Sequence, residues 1–497
     1  MKFRIAGTTR TAWAAVIVLG AWLVLALPVA AQEAYYWCYA RHPAWSYLDH
    51  PPLMAWLIWL GTRGFGDGPV GIRAGSYLCT LAATWIGQRL LRRLGGDRSA
   101  ECAFVWCTLG VPLLGTAHAL TNPDPPLVCA FTATLYALWR ARDGSRRWWL
   151  LAGVAAGASL LAKYTGALLF VGGVLVLLFD PQLRRQLRTP WPWLAVLIAA
   201  LVFSPVVWWN AQRDWISFGY QTDGRWERGH LQLHWLLQFL GGQLLAFGPL
   251  LLLLPWALRW ALPRLRADAR LLWLCAFGLP LPAFMACNSL WIQVKINWLL
   301  PVFVPWLLLL LLWHQDSGVR TRWPWLLRAG RQWLRCIVAL VVLAPLAALL
   351  PLEWGGGNLN GWREVGSATA AAARALADET GRNGHVFVLA PDYYQAAQLS
   401  RQITDLPVLA GSAFGQTSVM FDSWTEPSSH IGDDAVFVLS SPEHNRNRLE
   451  QVQRVFASME PIGQASTVRV TRLGILVQEA WLYRCRAYRG PPAMAAK

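Results

Sequence analysis

The sequence predicts a polytopic α-helical membrane protein of about eleven spans, with a small C-terminal α/β domain on the non-cytoplasmic face. Three observations predict it. Of 497 residues, 55% are hydrophobic and 14% charged, where a soluble protein carries about 25% charged residues; mean hydropathy is +0.34. Apolar runs near the ~20 residues needed to cross a bilayer recur before the composition changes near Glu353. Finally, many of the 32 Trp sit at the ends of these runs. Trp148, Trp149, Trp191, Trp193, Trp208, Trp209, Trp313, Trp323 and Trp325 stand where an interfacial aromatic belt belongs. Core aromatics of a soluble protein would not gather at run ends.

The runs fall at 11–31, 69–91, 100–121, 125–140, 148–163, 165–180, 191–209, 232–257, 271–288, 296–313 and 334–352. Those between 125 and 180 are short, and are open to being tilted, merged or partly re-entrant. The stretch 53–65 is too short to span and contains Arg63. It reads as an interfacial helix lying along the membrane.

A net charge of +17 invites a nucleic-acid reading, but its distribution excludes one. The basic residues gather in alternate loops: Lys2, Arg4 and Arg10; Arg89 to Arg98; Arg140 to Arg147; Arg184 to Arg188; Arg259 to Arg270; Arg320 to Arg335. This is the positive-inside pattern, and it places the N-terminus and all these clusters in the cytoplasm. An odd number of spans then puts 32–68, 122–124, the Lys163-Tyr164-Thr165 turn, 210–231, 289–295 and everything after 353 outside. Glu33, Asp49, His50, Asp124, Lys163, Asn210, Lys295 and Asn297 converge on that one face. Each alone reads as a capping or snorkelling group. Together, carboxylates, an imidazole and two Lys at one interface point to a site for an anionic amphiphile with a polar head.

Lys2 and Arg4, the run after them and Val29-Ala30-Ala31-Gln32 also resemble a cleavable signal peptide. The run is long for its apolar region, and cleavage would leave the topology of the rest unchanged. The nine Cys are scattered and form no CxxC pair. Cys38 and Cys485 both lie outside in this topology and could pair.

Domain organisation follows: a transmembrane domain over 1–353 and a soluble periplasmic α/β domain over 354–497. The stretch from Glu353 to Asn358 reads as a Gly-rich linker. An Ala-rich helix at 368–378, a strand at 386–389, a helix at 392–401, a strand at 434–439 and β segments at 475–477 and 481–483 follow. The stretch 411–416 is Gly-rich but lacks a nucleotide-binding pattern, and reads as a loop.

The most specific segment is EAYYW (33–37) followed by RHPAWSYLDHPPLMAWLIWLGTRGFGDGPVGIR (41–73). It resembles the first external loop of bacterial GT-C glycosyltransferases. That is the dolichyl-phosphate-mannose–protein mannosyltransferase-like family (glycosyltransferase family 39-like), which includes the aminoarabinose lipid A transferases. TNPDPPL (121–127), LLAKYTGALL (160–169), PVVWWNAQRDWISFGYQ (205–221) and VKINWLLPVFVP (294–305) continue the resemblance in order.

The resemblance implies an inner-membrane transferase. It would move a sugar from a polyprenyl-phosphate donor to a lipid, glycan or protein acceptor, usually with inversion, and no nucleic acid would be bound. By motif, Glu33, Asp49 and Asp124 are the catalytic candidates. His50, Lys163 and Lys295 match basic positions near the donor phosphate. Tyr35, Tyr47, Asn210 and Asn297 in the same blocks are candidates for substrate binding. Asp49 and His50 are also the candidate ligands of a divalent metal ion, the one cofactor implied. There is one departure: the family often reads Asp-Glu after the first span, with the Asp as base, and this chain reads Gln32-Glu33. An amide cannot take a proton, so Glu33 or Asp49 must serve or catalysis is lost.

Two other classes remain: a transporter or flippase of amphiphilic anions, and a catalytically inactive glycolipid-binding relative. A transporter should show repeats and polar groups near the midplane of broken helices. No repeat is visible, and the ionisable residues lie at span ends on one face. Gln32 keeps the inactive relative open.

Overall fold

A computed structural model describes residues 8–222, 230–317, 324–352, 358–381, 384–440, 442–462 and 467–492. Lys2, Arg4, Arg320, Arg322, Trp323 and positions 353–357 of the expected linker lie outside the described residues. The chain divides into two compact units. One comprises Met1–Ala26 with Ala44–Leu343, the other Leu27–Pro43 with Ala344–Lys497.

Each of the eleven apolar runs contains helix. Among the described residues, six helices are long and apolar enough to cross a membrane: Thr9–Ala26, Pro190–Ala211, Leu233–Arg264, Ala269–Asn288, Ile296–Asp316 and Arg328–Leu349. The others fall short for local reasons. Pro69–Arg93 carries Arg73, Arg89, Arg92 and Arg93. The run from Arg98 is interrupted before Pro112, which starts a separate short helix. Arg146–Ala162 has 17 residues. The stretch 125–180 is three separate segments, Asp124–Ala141, Arg146–Ala162 and Tyr164–Phe179, rather than a merged one. The interfacial segment is a helix, Leu53–Phe65.

In the first unit, Ile296–Asp316 is the most enclosed helix. Of its apolar window 78% is buried, against 28% for Thr9–Ala26 and for Pro190–Ala211. It is apolar on every side, as a helix without a solvent or polar face must be. It packs on Ala269–Gly278, Arg98–Gly110 and Leu254–Ala261, and Trp306 Nε1 donates to the Gly278 carbonyl at 2.8 Å. Arg146–Ala162 is held between Asp124–Ala141 and Pro190–Ala211. Gly153 and Gly157, four apart, make the second contact possible. A Cβ on Gly153 would stand 2.5 Å from the Ala195 carbonyl oxygen, and one on Gly157 2.6 Å from the Val202 Cβ. Small residues at this spacing let membrane helices approach closely.

The basic loops are partly neutralised in place. Arg92 pairs with Glu101 at 2.6 Å. Arg142 pairs with the buried Asp180 at 2.7 Å, which also accepts from Trp273 Nε1 at 2.9 Å. Several run-end Trp are covered by these Arg. The Arg140 guanidinium lies 4.5 Å from the Trp148 ring and Arg146 5.2 Å from Trp191. The belt reading needs one correction: Trp149, Trp209 and Trp313 are buried, while Trp193, Trp208 and Trp325 are exposed. Trp149 turns inward because its Nε1 donates to Gln186 at 2.7 Å.

The second unit is built on a mixed sheet of β1 (Val386–Leu389), β2 (Val408–Leu409), β3 (Asp434–Leu439), β4 (Phe456–Pro461), β5 (Thr467–Arg472) and β6 (Ile475–Tyr488). The order is β2-β1-β3-β6-β4, with β5 also paired to β6. β1 runs parallel to β2 and β3; the pairs made by β6 are antiparallel. The two β segments expected near the end are one strand, because β6 pairs with β5 along its first half and with β4 along its second. β5 turns into β6 through Leu473 and Gly474, both at positive φ, as a two-residue type I′ hairpin requires. The Ala-rich helix is longer than expected, Trp362–Thr380, and Tyr393–Gln402 is the second helix.

Ala31–Arg41, early in the chain, packs on Tyr393–Gln402 in this unit. Gln398 Nε2 donates to the Val29 carbonyl at 2.8 Å. Cys38 and Cys485 do not pair: both are buried free thiols. Burial pushes the Cys38 thiol up to about 12, so it is protonated and unreactive at neutral pH.

Candidate functional site

Three segments of the first unit meet at Asp124. The Asn122 side chain accepts from the Asp124 N–H at 2.8 Å, and Pro125 and Pro126 pre-set the first helical turn. Asp124 thus begins its helix, where the helix dipole favours an anion. Lys163 stands just past the end of Arg146–Ala162 with an extended backbone, where a cation is favoured. Its Nζ donates to Asp124 Oδ1 at 2.7 Å. Asn297, on the 3-10 helix Ile296–Val302, donates from Nδ2 to the other oxygen, Oδ2, at 2.5 Å. Asp124 is fully buried and Lys163 is 7% exposed. Asp124 and Lys163 are therefore a buried, hydrogen-bonded charge pair, with the partly buried Asn297 on the second carboxylate oxygen. Lys295, exposed, is two residues before Asn297 at the start of the same 3-10 helix.

A second network shapes the loop that carries Asp49 and His50. The Tyr47 N–H donates to the His50 carbonyl at 3.1 Å, closing a turn, and its buried hydroxyl accepts from the Ala44 N–H at 3.1 Å. Ser217 Oγ lies 2.9 Å from both the Tyr47 and Leu48 carbonyls and 2.7 Å from the Tyr164 hydroxyl. The buried Asn210 accepts from the Ser217 N–H at 3.1 Å. Gln221 Nε2 donates to the Asp49 carbonyl at 2.8 Å. Asp214 and Trp215 at positive φ reverse the chain between Asn210 and this short helix. Asp49 itself is buried, and His50 Nε2 lies 4.0 Å from its Oδ2. Tyr47 and Asn210 are thus framework of the loop. Ser217, Gln221 and Tyr164 escaped the sequence reading, although all three lie in the resembling blocks. A hydroxyl beside an Asn has no periodic signature.

Ser217→Ala should detach the loop without touching the charges. It removes a hydrogen-bond partner from the buried Tyr47 carbonyl, the half-buried Leu48 carbonyl and the Tyr164 hydroxyl, at about 1–3 kcal/mol. The expected result is a lower melting temperature in detergent and weaker turnover. Unchanged values of both would mean that water replaces the hydroxyl.

Two expected site residues belong to the second unit. Glu33 is buried and accepts from the Ala30 N–H at 3.0 Å, capping its own helix. Gln32, its neighbour, donates from Nε2 to the Tyr36 hydroxyl at 2.9 Å. Tyr35 is packed in an aromatic cluster, its ring centroid 4.9 Å from Tyr39 and 4.8 Å from Tyr393. Its hydroxyl accepts from Tyr39 at 3.1 Å and from the Met420 N–H at 3.3 Å.

For a metal ion, Asp49 and His50 offer two donor groups. Among the described residues no group of three or more His, Cys, Asp or Glu is gathered anywhere. A cage made of protein groups needs more donors than that, so no step below runs through an ion.

Residues 49–209 match the family model described as dolichyl-phosphate-mannose-protein mannosyltransferase. The lipid A galacturonosyltransferase RgtD of Rhizobium johnstonii is 27% identical over 388 residues, 73% of this chain and 78% of that protein. A polyprenol-phosphate-mannose–protein mannosyltransferase of Mycolicibacterium smegmatis is 28% identical over 182 residues, 31% of this chain and 35% of that protein. Among solved structures, ArnT from Cupriavidus metallidurans matches in fold at 16% identity. In the apo state the TM-score is 0.63, covering 95% of this chain and 97% of that one. Bound to undecaprenyl phosphate it is 0.66, covering 97% and 99%. The motif blocks in order, the family match across Asp49, Asp124 and Lys163, and this fold together support a GT-C glycosyltransferase family of the protein mannosyltransferase-like and ArnT-like kind.

Proposed function

We propose that this protein is a membrane glycosyltransferase that moves a sugar from a polyprenyl-phosphate donor to a lipid, glycan or protein acceptor. The observation that carries the reading is the buried Asp124–Lys163 pair with Asn297, in a chain whose residues 49–209 match the mannosyltransferase family. The likeness to a named lipid A galacturonosyltransferase over 388 residues supports a lipid acceptor.

In this reading the acceptor hydroxyl attacks the anomeric carbon. Its proton passes to a carboxylate, Glu33 or Asp49. The bond from the anomeric carbon to the phosphate oxygen breaks, and polyprenyl phosphate leaves. Positive charge must meet that phosphate as it departs. Lys163 and Lys295 supply it, His50 adds a hydrogen-bond donor, and Asp124 with Asn297 fixes where the Lys163 ammonium points. The membrane part crosses the bacterial inner membrane about eleven times with the N-terminus inside. The C-terminal domain then lies in the periplasm, on the side where polar residues gather at the helix ends.

The test is transfer by the purified protein, given a panel of radiolabelled polyprenyl-phosphate sugars, with Asp49→Asn in parallel. Transfer from one donor class, lowered about 10²-fold or more in Asp49→Asn, is expected. Donor binding without transfer from any of them would leave an inactive glycolipid-binding relative. Movement of donor across a bilayer without bond cleavage would mean a flippase.

A further inference from the structure

The second unit carries a cavity of its own that the chemistry above does not use. It has a volume of about 370 Å³, within the range of small-molecule sites. Its walls come from the end of the Ala31–Arg41 helix, from 400–409 and from 421–430. Trp37, Phe421 and Trp424 give it aromatic faces; Arg41, His42 and Glu426 give it polar ends. The Arg41 guanidinium lies 5.7 Å from the Trp37 ring centroid. The His42 ring stacks on Trp424 at 4.8 Å, with the planes 14° apart. Burial and the neighbouring Arg41 hold the His42 imidazole below its ordinary value. At neutral pH it is therefore an uncharged donor and acceptor, and Arg41 is the guanidinium among the lining side chains.

From these residues we infer that the cavity binds a saccharide ring bearing an anionic substituent. The ring's apolar face would lie against the tryptophan wall, the anion on Arg41, and the hydroxyls on Glu426 and His42. Each requirement has a matching group. Aromatic planes suit a flat apolar ring face, a planar guanidinium suits phosphate or carboxylate, and a carboxylate with an imidazole suits hydroxyl donors and acceptors. Lys or Arg on an exposed surface would offer charge without the stacking wall. The choice of a sugar rests on the proposed glycosyl transfer, and makes this a docking point for the anionic acceptor.

The test is equilibrium binding to the full chain in lipid nanodiscs, with sugar transfer measured on the same preparation. The probes are glucosamine 1-phosphate, glucose, inorganic phosphate and a diacylglucosamine phosphate. Glucosamine 1-phosphate should bind at least about tenfold better than glucose or phosphate alone, and Arg41→Gln should remove about tenfold of that affinity. Trp424→Phe, which keeps an aromatic ring in the wall, should weaken binding less. If the lipid-linked form also binds and Arg41→Gln weakens it equally, a lipid headgroup is the source. If only the free sugar phosphate binds, a glycan is. No binding by an active preparation, or binding that Arg41→Gln leaves unchanged, overturns the inference alone. Binding without any transfer overturns the glycosyltransferase reading and leaves the cavity assigned.

Discussion

Asp124→Asn is expected to lower sugar transfer by about a hundredfold or more, with membrane insertion intact. The amide keeps the shape of the carboxylate but not its charge, so the buried Lys163 ammonium loses its counter-ion. Losing one partner of a buried pair costs about 3–5 kcal/mol, and the melting temperature in detergent should fall as well. That leaves a structural explanation to separate from a functional one. Lys163→Met added to Asp124→Asn removes the stranded charge. Neutralising both members of a buried pair is often close to neutral for stability, so the double variant should recover its melting temperature. Transfer should stay low, because the leaving phosphate still lacks its cation. Recovery of transfer together with stability would make the pair a structural strut and sink its role in the site.

Glu33→Gln should lower transfer by about 10²–10⁴-fold if Glu33 is the base. The geometry lets this substitution keep the helix cap. Glu33 caps its helix by accepting from the Ala30 N–H, and the Gln side-chain carbonyl can accept the same hydrogen bond. Glu33→Ala would confuse the two effects, since a lost cap costs about 1 kcal/mol. The companion variant is Gln32→Asp in the Glu33→Gln background. It restores a carboxylate one residue earlier, about 100° round the helix, at the position that often reads Asp in the motif this segment resembles. Restored transfer would show that the base role has moved between neighbouring positions. Wild-type rates in Glu33→Gln alone would leave Asp49 as the base.

The helical membrane part was legible because apolar runs of bilayer length leave a signal that survives any packing. All eleven runs contain helix, although among the described residues six helices are long and apolar enough to cross a membrane, and 296–313 is helical throughout. What the runs could not convey was rank. Nothing in the composition of 296–313 separates a helix walled in by others from one facing lipid, because both are apolar over most of their length. The same limit explains the inward Trp149, Trp209 and Trp313. A position at a run end is a sequence property, and the direction of the ring is set by neighbours such as Gln186. The sequence offered the site residues only as a set of charges expected on one face. The union of Asp124, Lys163 and Asn297 was not legible, since those residues come from three distant segments. β2, β4 and β5 also escaped. Val408–Leu409 is two residues long, and Phe456–Pro461 alternates weakly and holds a proline, which strand patterns disfavour.

The Ala31–Arg41 helix has a consequence for biogenesis. It is made near the start of translation, yet the helix it packs against begins more than three hundred residues later, at Tyr393. At about 5–20 residues per second, its tyrosine-rich face waits on the order of tens of seconds for a partner. For that interval a buried-to-be aromatic surface stands exposed beside the emerging membrane helices. The second unit is therefore stitched from two ends of the chain. A fragment beginning after residue 343 would lack this helix and expose the face of Tyr393–Gln402 that it covers. Cutting the gene at the apparent domain border should give an aggregating fragment, which co-expression of a peptide spanning residues 27–43 would render soluble.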